Sequence, residues 1–395
     1  MTNPFRVGGI VRREFFTDRA AELTRIVRAL EEPQAKLLVY GPRRMGKTSA
    51  LTAAVERVRR RGGRAILADL STASSLTDIA NRILLAATQE LGRKWTDVVS
   101  ELVRRIGVRV TVDADQATGV LRPALHVELR RAELGEQRDA LARVLDAIDA
   151  LARAKGGTVG IVLDEFQEIE RFGGKDAEWH LRGVVQHHQH VGYVLAGSDE
   201  RLIRAMLGKG RAFYKMLEPL PFGPIDPGHL ARWIEERMRG AQVRPARDLG
   251  TAIIAAAGPR TRDIVQLARA TYDAARSRTT ADAESLAEAF VHVVAEEDAP
   301  LRALWELLTP LQQNVLRAAA TTATGLTTRD VRLHFALGDT GTTHNAAKAL
   351  VARQLLVRAE GGGYVFESPF FRGWVIANAL PDMGIVRATH ALPDG

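Results

Sequence analysis

The stretch Gly41-Pro42-Arg43-Arg44-Met45-Gly46-Lys47-Thr48 constrains this chain more than any other. It fits Gly-x-x-x-x-Gly-Lys-Ser/Thr, in which the glycines let backbone N–H groups wrap around phosphates. A short apolar run from Lys36 to Tyr40 precedes it, and a helical pattern from Lys47 to Arg60 follows. Strand, loop and helix in that order predict a parallel α/β sheet with a phosphate site at the strand's end, where the helix aims its positive pole. In such a loop Gly41, Pro42, Arg43, Arg44, Met45, Gly46 and Ser49 line the phosphates. Lys47 supplies a point charge to the β and γ phosphates, and Thr48 offers a hydroxyl to Mg²⁺. The implied ligand is ATP with Mg²⁺; the bland alternative is a glycine-rich turn.

More strands and helices alternate beyond this loop. Ala65–Leu70, Val159–Leu163 and Val191–Ala196 read as buried strands, with helical periodicity between them. Residues 93–135 read as an insertion with a hairpin, because Val108, Val110 and Val112, then Leu125, Val127 and Leu129, alternate with polar residues. Pro219, Pro221, Pro224 and Pro227 crowd together and suggest a linker. Helical segments follow at 229–239, 246–257, 262–276 and 283–295, with no strand signal until 355. The expected organisation is a P-loop core over 1–222, a helical lid over 223–300, a third unit over 301–380 and a tail over 381–395.

An apolar strand ending in Asp164-Glu165 is the Walker B arrangement. It places Asp164 near a Mg²⁺ held by Thr48, and Glu165 where it can polarise an attacking water. Ser198, in Ala196-Gly197-Ser198-Asp199, stands at the end of the fourth strand. A small polar residue there can touch the γ phosphate, as the sensor of AAA+-type ATPases does, or simply cap a helix. Arg211 falls where a ring-forming ATPase often carries an arginine finger, in cis or in trans. Arg260 and Arg262, after Gly258-Pro259, head a helix from which an arginine can reach a nucleotide. All three arginines also fit a plain surface role. His187, His188 and His190 lack the i, i+4 spacing and the carboxylates of a metal site.

The C-terminal third reads as helix, helix, helix and hairpin, the order of a winged helix-turn-helix. Thr309-Pro310 opens the first helix, Thr328–Phe335 the second, and Thr340–Leu350 the third. Residues 355–358 and 364–366 flank Gly361-Gly362-Gly363 as the wing. If this unit reads DNA, Thr342, Thr343, Asn345 and Lys348 face the major groove and Arg358 reaches a phosphate. The same fold also serves as a protein-contact module. Over the whole chain, 55 basic against 47 acidic residues give a net charge of +8, which favours anionic partners. There is no cysteine, which excludes disulfides and thiol chemistry and suits a cytoplasmic setting. No apolar run is long enough to span a membrane.

Taken together, the pieces resemble the archaeal-type ATPase family within the STAND branch of AAA+-related P-loop ATPases. The residues that carry the resemblance are Phe15-Phe16 with Arg19 and Glu22-Leu23, the loop at 41–48, and Asp69-Leu70-Ser71. LDEFQEI at 163–169, AGSDERL at 196–202 and AFYKMLEPL at 212–220 complete the set. The resemblance implies that Phe16 and Arg19 lie beside the adenine. Two departures stand out: Asp18 replaces a frequent glycine, and Ala257-Gly258-Pro259-Arg260 replaces a Gly-Gly-x-Pro lid motif. The resemblance also implies an ATP-hydrolysing switch that cycles to ADP, either a former of ATP-dependent homo-oligomers or a monomeric switch. Its output is either double-stranded DNA, in genome maintenance or transcription, or a protein client in signalling or defence.

Overall fold

The computed structural model describes residues 2–7, 19–91, 110–114, 121–125, 134–198, 203, 205–322, 325–359 and 362–380. They divide between two compact units, one spanning 10–223 and the other 1–9 with 224–395.

The first unit is built on five strands: β1 Lys36–Tyr40, β2 Arg64–Asp69, β5 Val159–Asp164, β6 Val191–Gly197 and β7 Glu218–Pro221. They lie in the order β2-β5-β6-β1-β7, and every pairing is parallel. Strands β5 and β6 are buried from end to end because helices cover both faces of the sheet. Helices α1 (Ala20–Glu31) and α2 (Lys47–Arg60) pack on one face, with Leu37, Val39, Val162, Val194 and Ala196 pointing to them. Helices α3 (Leu76–Leu91), α4 (Leu134–Ala154) and α5 (Glu168–Val185) cover the other, against Leu38, Ile161, Leu163, Tyr193 and Leu195. The alternation along each strand is the period-two rule of a pleated sheet. Because the strands are parallel, their C-terminal ends share one edge, and the loops after β1, β5 and β6 meet there.

Helix α1 sits unusually deep. Gly160 and Gly192 are register partners in β5 and β6. A Cβ on Gly192 would lie 2.2 Å from the Ala29 carbonyl oxygen, and one on Gly160 would lie 2.8 Å from both Cβ and the carbonyl oxygen of Leu30. The paired glycines form a trough, so the helix backbone rests on the sheet without intervening side chains.

One local reading changes in the folded chain and another holds. Pro219 and Pro221, expected in a linker, belong to the edge strand β7, where a proline sacrifices no ladder bond the sheet needs. The expected hairpin is present, with β3 (Val110–Ala114) antiparallel to β4 (Leu121–Leu125) and Val110 opposite Leu125. Val108, Val127 and Leu129 lie outside the described residues, as does the tail at 381–395.

The second unit is helical, with a single apolar core. Helices α6 (Pro227–Gly240), α7 (Leu249–Ala257), α8 (Thr261–Ala275) and α9 (Ala283–Glu296) match the expected segments to within a few residues. Contrary to expectation, a two-residue parallel pairing joins β8 (Arg244–Pro245) to β9 (Thr280–Ala281). After α10 (Asp298–Glu306) come α11 (Pro310–Thr321), α12 (Arg329–His334) and α13 (Thr340–Ala352). The antiparallel pair β10 (Leu356–Arg358) and β11 (Tyr364–Phe366) then completes the winged-helix order. Thr309 and Gln312 form a reciprocal capping box at the start of α11. Residues of the expected lid and of the expected winged helix line one continuous core, in which Phe290 packs on Phe370 and Trp305 on Trp374. Phe5, grouped with the P-loop core by position in the sequence, is buried in this second unit against Trp233. Among the described residues no helix is long and apolar enough to cross a membrane.

The trough beneath α1 makes one expectation sharp. Gly192→Ala should cost about 1–3 kcal/mol, because the new methyl meets rigid backbone. Thermal denaturation measures it, and an unchanged midpoint would mean α1 is not seated on β6.

Candidate active site

The loop between β1 and α2 is shaped by backbone geometry. Gly41 leaves β1 so close to the neighbouring chain that a Cβ would lie 2.2 Å from the Phe222 carbonyl oxygen. The Phe222 N–H in turn donates to the Tyr40 carbonyl at 2.7 Å. Arg44 and Gly46 both have positive φ, 68° and 90°, and Gly46 caps α2 from the left-handed region. Gly41 and Met45 are buried and Pro42 half-buried, whereas Arg43 and Arg44 are exposed. Ser49 follows in the first turn of α2.

Lys47 is buried rather than solvent-facing. Its ammonium folds back and donates to the carbonyls of Gly41 at 2.7 Å and Pro42 at 2.6 Å. Thr48, one residue on, donates its hydroxyl to Oδ2 of Asp164 at 2.7 Å. That bond joins the loop after β1 to the end of β5, across 116 residues of sequence.

Asp164 is almost fully buried. Burial pushes its carboxyl above the usual range, and the nearby charges of Glu165 and Asp69 push the same way. The hydrogen bonds from Thr48 and from the Glu165 backbone N–H, the latter at 3.0 Å, act in the opposite direction. Asp69 is the register partner of Asp164 across β2 and β5.

Glu165 turns the chain off the strand with a φ of 55°, left-handed for a residue that has a Cβ. Its neighbour Phe166 is tied by a backbone bond to Ala196 of β6 at 2.7 Å, which holds the turn against that strand. Oε2 of Glu165 accepts from the Ser198 hydroxyl at 2.7 Å and also from the Gln167 side-chain amide. Ser198 in turn accepts from Nε of Arg43 at 3.2 Å. Lys47, Thr48, Asp164, Glu165, Ser198 and Arg43 are therefore brought together at one edge of the sheet.

The remaining arginines have partners of their own. Arg211 is held by Glu178 at 2.5 Å and by Glu170 at 2.9 Å, both on α5. The two carboxylates raise its pKa against the opposing effect of burial, and Glu178 is fully buried. Arg211 makes no hydrogen bond to Glu165 or Ser198, so a finger role requires this ion pair to open. Arg260 belongs to the second unit, where it pairs with Glu367, just after the wing, and with Asp263. Arg19 is buried, stacked on Phe222 at 4.1 Å and bonded to the Gly223 carbonyl at 2.5 Å and to Glu22 at 2.8 Å. Phe16 lies outside the described residues. His188 is consumed by Asp146 at 2.8 Å and by the Tyr193 hydroxyl at 2.7 Å. Gln167 and Phe222 carry more of this geometry than the sequence indicated; Gln167 entered there only as part of LDEFQEI at 163–169.

No curated protein sequence matches the chain. Among solved structures, the Walker-type ATPase paby2304 of Pyrococcus abyssi superimposes with a TM-score of 0.62 at 16% identity, covering 94% of this chain and 99% of that one. The Aeropyrum pernix ORC1 protein, solved in complex with DNA, gives 0.52 at 17% identity over 94% and 95%. The Aeropyrum pernix ORC2 protein, solved in ADPNP-ADP complexes, gives 0.53 at 14% over 96% and 97%. At these identities the likeness speaks for the fold. The profile described as an ATPase domain predominantly from Archaea matches residues 16–221, more than half of the chain. The chain thus belongs to that family of P-loop ATPases.

Proposed function

We propose that this ATPase is a Mg-ATP-dependent switch whose nucleotide site is the cluster at the end of β1, β5 and β6, and whose winged-helix segment contacts double-stranded DNA. The observation that carries the first half is the Thr48–Asp164 hydrogen bond beside a positioned Glu165. A hydroxyl and a carboxylate oxygen 2.7 Å apart are two ligands of the kind a hard divalent cation takes. Asp164 is buried beside two further carboxylates, a charge excess that such a cation offsets. Bound Mg²⁺ would neutralise charge developing on the β and γ phosphates.

In this reading the ammonium of Lys47 exchanges its two loop carbonyls for phosphate oxygens, and the backbone N–H groups at the start of α2 face the same anion. Glu165 orients a water in line with the γ phosphorus and accepts its proton as the bond to the β-γ bridging oxygen breaks, leaving ADP and phosphate. Ser198 fixes that carboxylate. Arg19, stacked on Phe222 next to Gly41, is the described candidate for the adenine side.

The DNA half rests on exposed residues. Thr342, Asn345 and Lys348 recur every third residue on α13 and are exposed, as is Arg358 on the wing. Thr343 must be removed from the expected set, because it is buried and its hydroxyl bonds the carbonyls of Leu337 at 3.0 Å and Asp339 at 2.8 Å. The A. pernix ORC1 structure, solved with DNA, supports this direction by analogy of fold. A protein-facing winged helix, in signalling or defence, has its own support in Leu333 at 72% and Val357 at 40% exposure on the same segment. Sizing the protein with and without ATP and duplex DNA tests both readings and shows whether ATP drives self-assembly.

Lys47→Ala should abolish nucleotide binding at the cost of about 1 kcal/mol of stability for two lost loop hydrogen bonds. Titration with a fluorescent ATP analogue checks the first and a melting curve the second; retained affinity would remove the P-loop assignment. Glu165→Gln should bind ATP and hydrolyse it about two to four powers of ten more slowly. Steady-state phosphate release measures this, and full activity would assign the water to another residue. Replacing Lys348 and Arg358 together by Ala should weaken duplex binding and lower its salt slope by about one to two. If wild type shows no binding at low salt, the protein-facing reading is favoured.

A further inference from the structure

Gln167 is 95% buried at the mouth of the site, yet only half of its amide is used. Its Nε2 donates to Oε2 of Glu165, while its Oε1 accepts no hydrogen bond. The orientation of the amide follows from electrostatics: flipped, it would set a carbonyl oxygen against a carboxylate oxygen and leave Nε2 without an acceptor. Its location is equally constrained. A Cβ on Gly197 would lie 2.6 Å from Oε1, so only a glycine at the end of β6 lets the side chain lie across that strand.

The consequence appears at Glu165. Both donors, Ser198 and Gln167, converge on Oε2, and no side chain among the described residues bonds Oε1. The carboxylate is thus held by one oxygen and free at the other. Two donors from different elements fix its torsions, since Ser198 follows β6 and Gln167 follows β5. This matters because Glu165 stands on a left-handed backbone turn, where nothing in the strand itself dictates where its side chain points.

We propose that Gln167 is a positioning residue for hydrolysis: it anchors Oε2 of Glu165 so that Oε1 alone faces the attacking water. The proposal rests on the assignment of Glu165 as the residue that activates water. Gln167 touches neither water nor phosphate; it acts through Glu165. A hydrogen bond to a charged group, lost where misplacement of a reacting atom is costly, predicts a fall in kcat of about ten- to a hundredfold. KM for ATP and the affinity for a fluorescent ATP analogue should stay within about twofold, because the phosphate ligands are untouched.

The test compares three variants of the full-length protein by kcat, KM and nucleotide affinity over a range of pH. Gln167→Met preserves length and packing but donates nothing. It should lose kcat, whereas a purely structural role would leave Met close to wild type. Gln167→Glu should be at least as impaired at neutral pH, where two carboxylates repel. It should gain rate relative to Gln167→Met as pH falls, because the introduced carboxyl, once protonated, can donate to Oε2. Glu165→Gln is the reference. If Glu165→Gln is inactive while Gln167→Met turns over like wild type, the positioning role is overturned and the site assignment survives. If Gln167→Met and Gln167→Glu show the same loss at every pH, the loss is steric and the proposal is again overturned. If Glu165→Gln itself hydrolyses ATP normally, the site assignment fails and takes the proposal with it.

Discussion

A carboxylate placed at the end of a buried strand governs the rest of this molecule's core. Asp164 sits out of water beside Glu165 and Asp69, an arrangement that costs several kcal/mol per ion unless hydrogen bonds compensate it. Among the described residues two donors reach its carboxylate, the Thr48 hydroxyl and the Glu165 backbone N–H. The first requires the loop after β1 to arrive at the same edge as β5. The second requires the chain to turn sharply at Glu165. A parallel sheet, with β1 and β5 both flanking β6, satisfies both demands at once.

The depth of α1 against the sheet serves the same end. The paired glycines of β5 and β6 remove two side chains from the layer between helix and sheet. Arg19, at the N-terminus of that helix, is then drawn onto Phe222, whose backbone in turn walls the loop at Gly41. A chain of close contacts therefore runs from a helix on one face of the sheet to the phosphate loop. The links at Gly160, Gly192 and Gly41 are positions where any Cβ would collide, and packing of this kind transmits displacement rather than absorbing it.

Charged side chains show how burial narrows a residue's options. Arg211 is the clearest case. In sequence it is one arginine among many with a suitable address. In the fold it is committed to two glutamates of α5, one of them fully buried, so its release would strand a charge. Thr343 follows the same logic on a smaller scale. Its neighbours Thr342 and Asn345 face solvent, but its own hydroxyl is needed by two carbonyls near the start of α13.

The order of strands and helices, the phosphate loop, Asp164-Glu165 and Ser198 were all legible in the sequence. Each is written in local terms: a run of apolar residues, a glycine at a fixed spacing, a polar residue where such a run stops. The helix, helix, helix and hairpin order of the C-terminal segment was legible for the same reason. What local pattern cannot carry is a partner remote in the chain. Phe222 at Gly41, Ser198 and Gln167 on one oxygen of Glu165, and Glu178 on Arg211 are decided by which strand lies beside which. Prolines that read as a linker became an edge strand because β1 offered a free side there. Residue type and spacing thus determined that a nucleotide-type site would exist and which strands would build it. Tertiary packing decided which side chains remain free to act in it, because burial obliges every polar group to find a partner and so withdraws many of them from solvent.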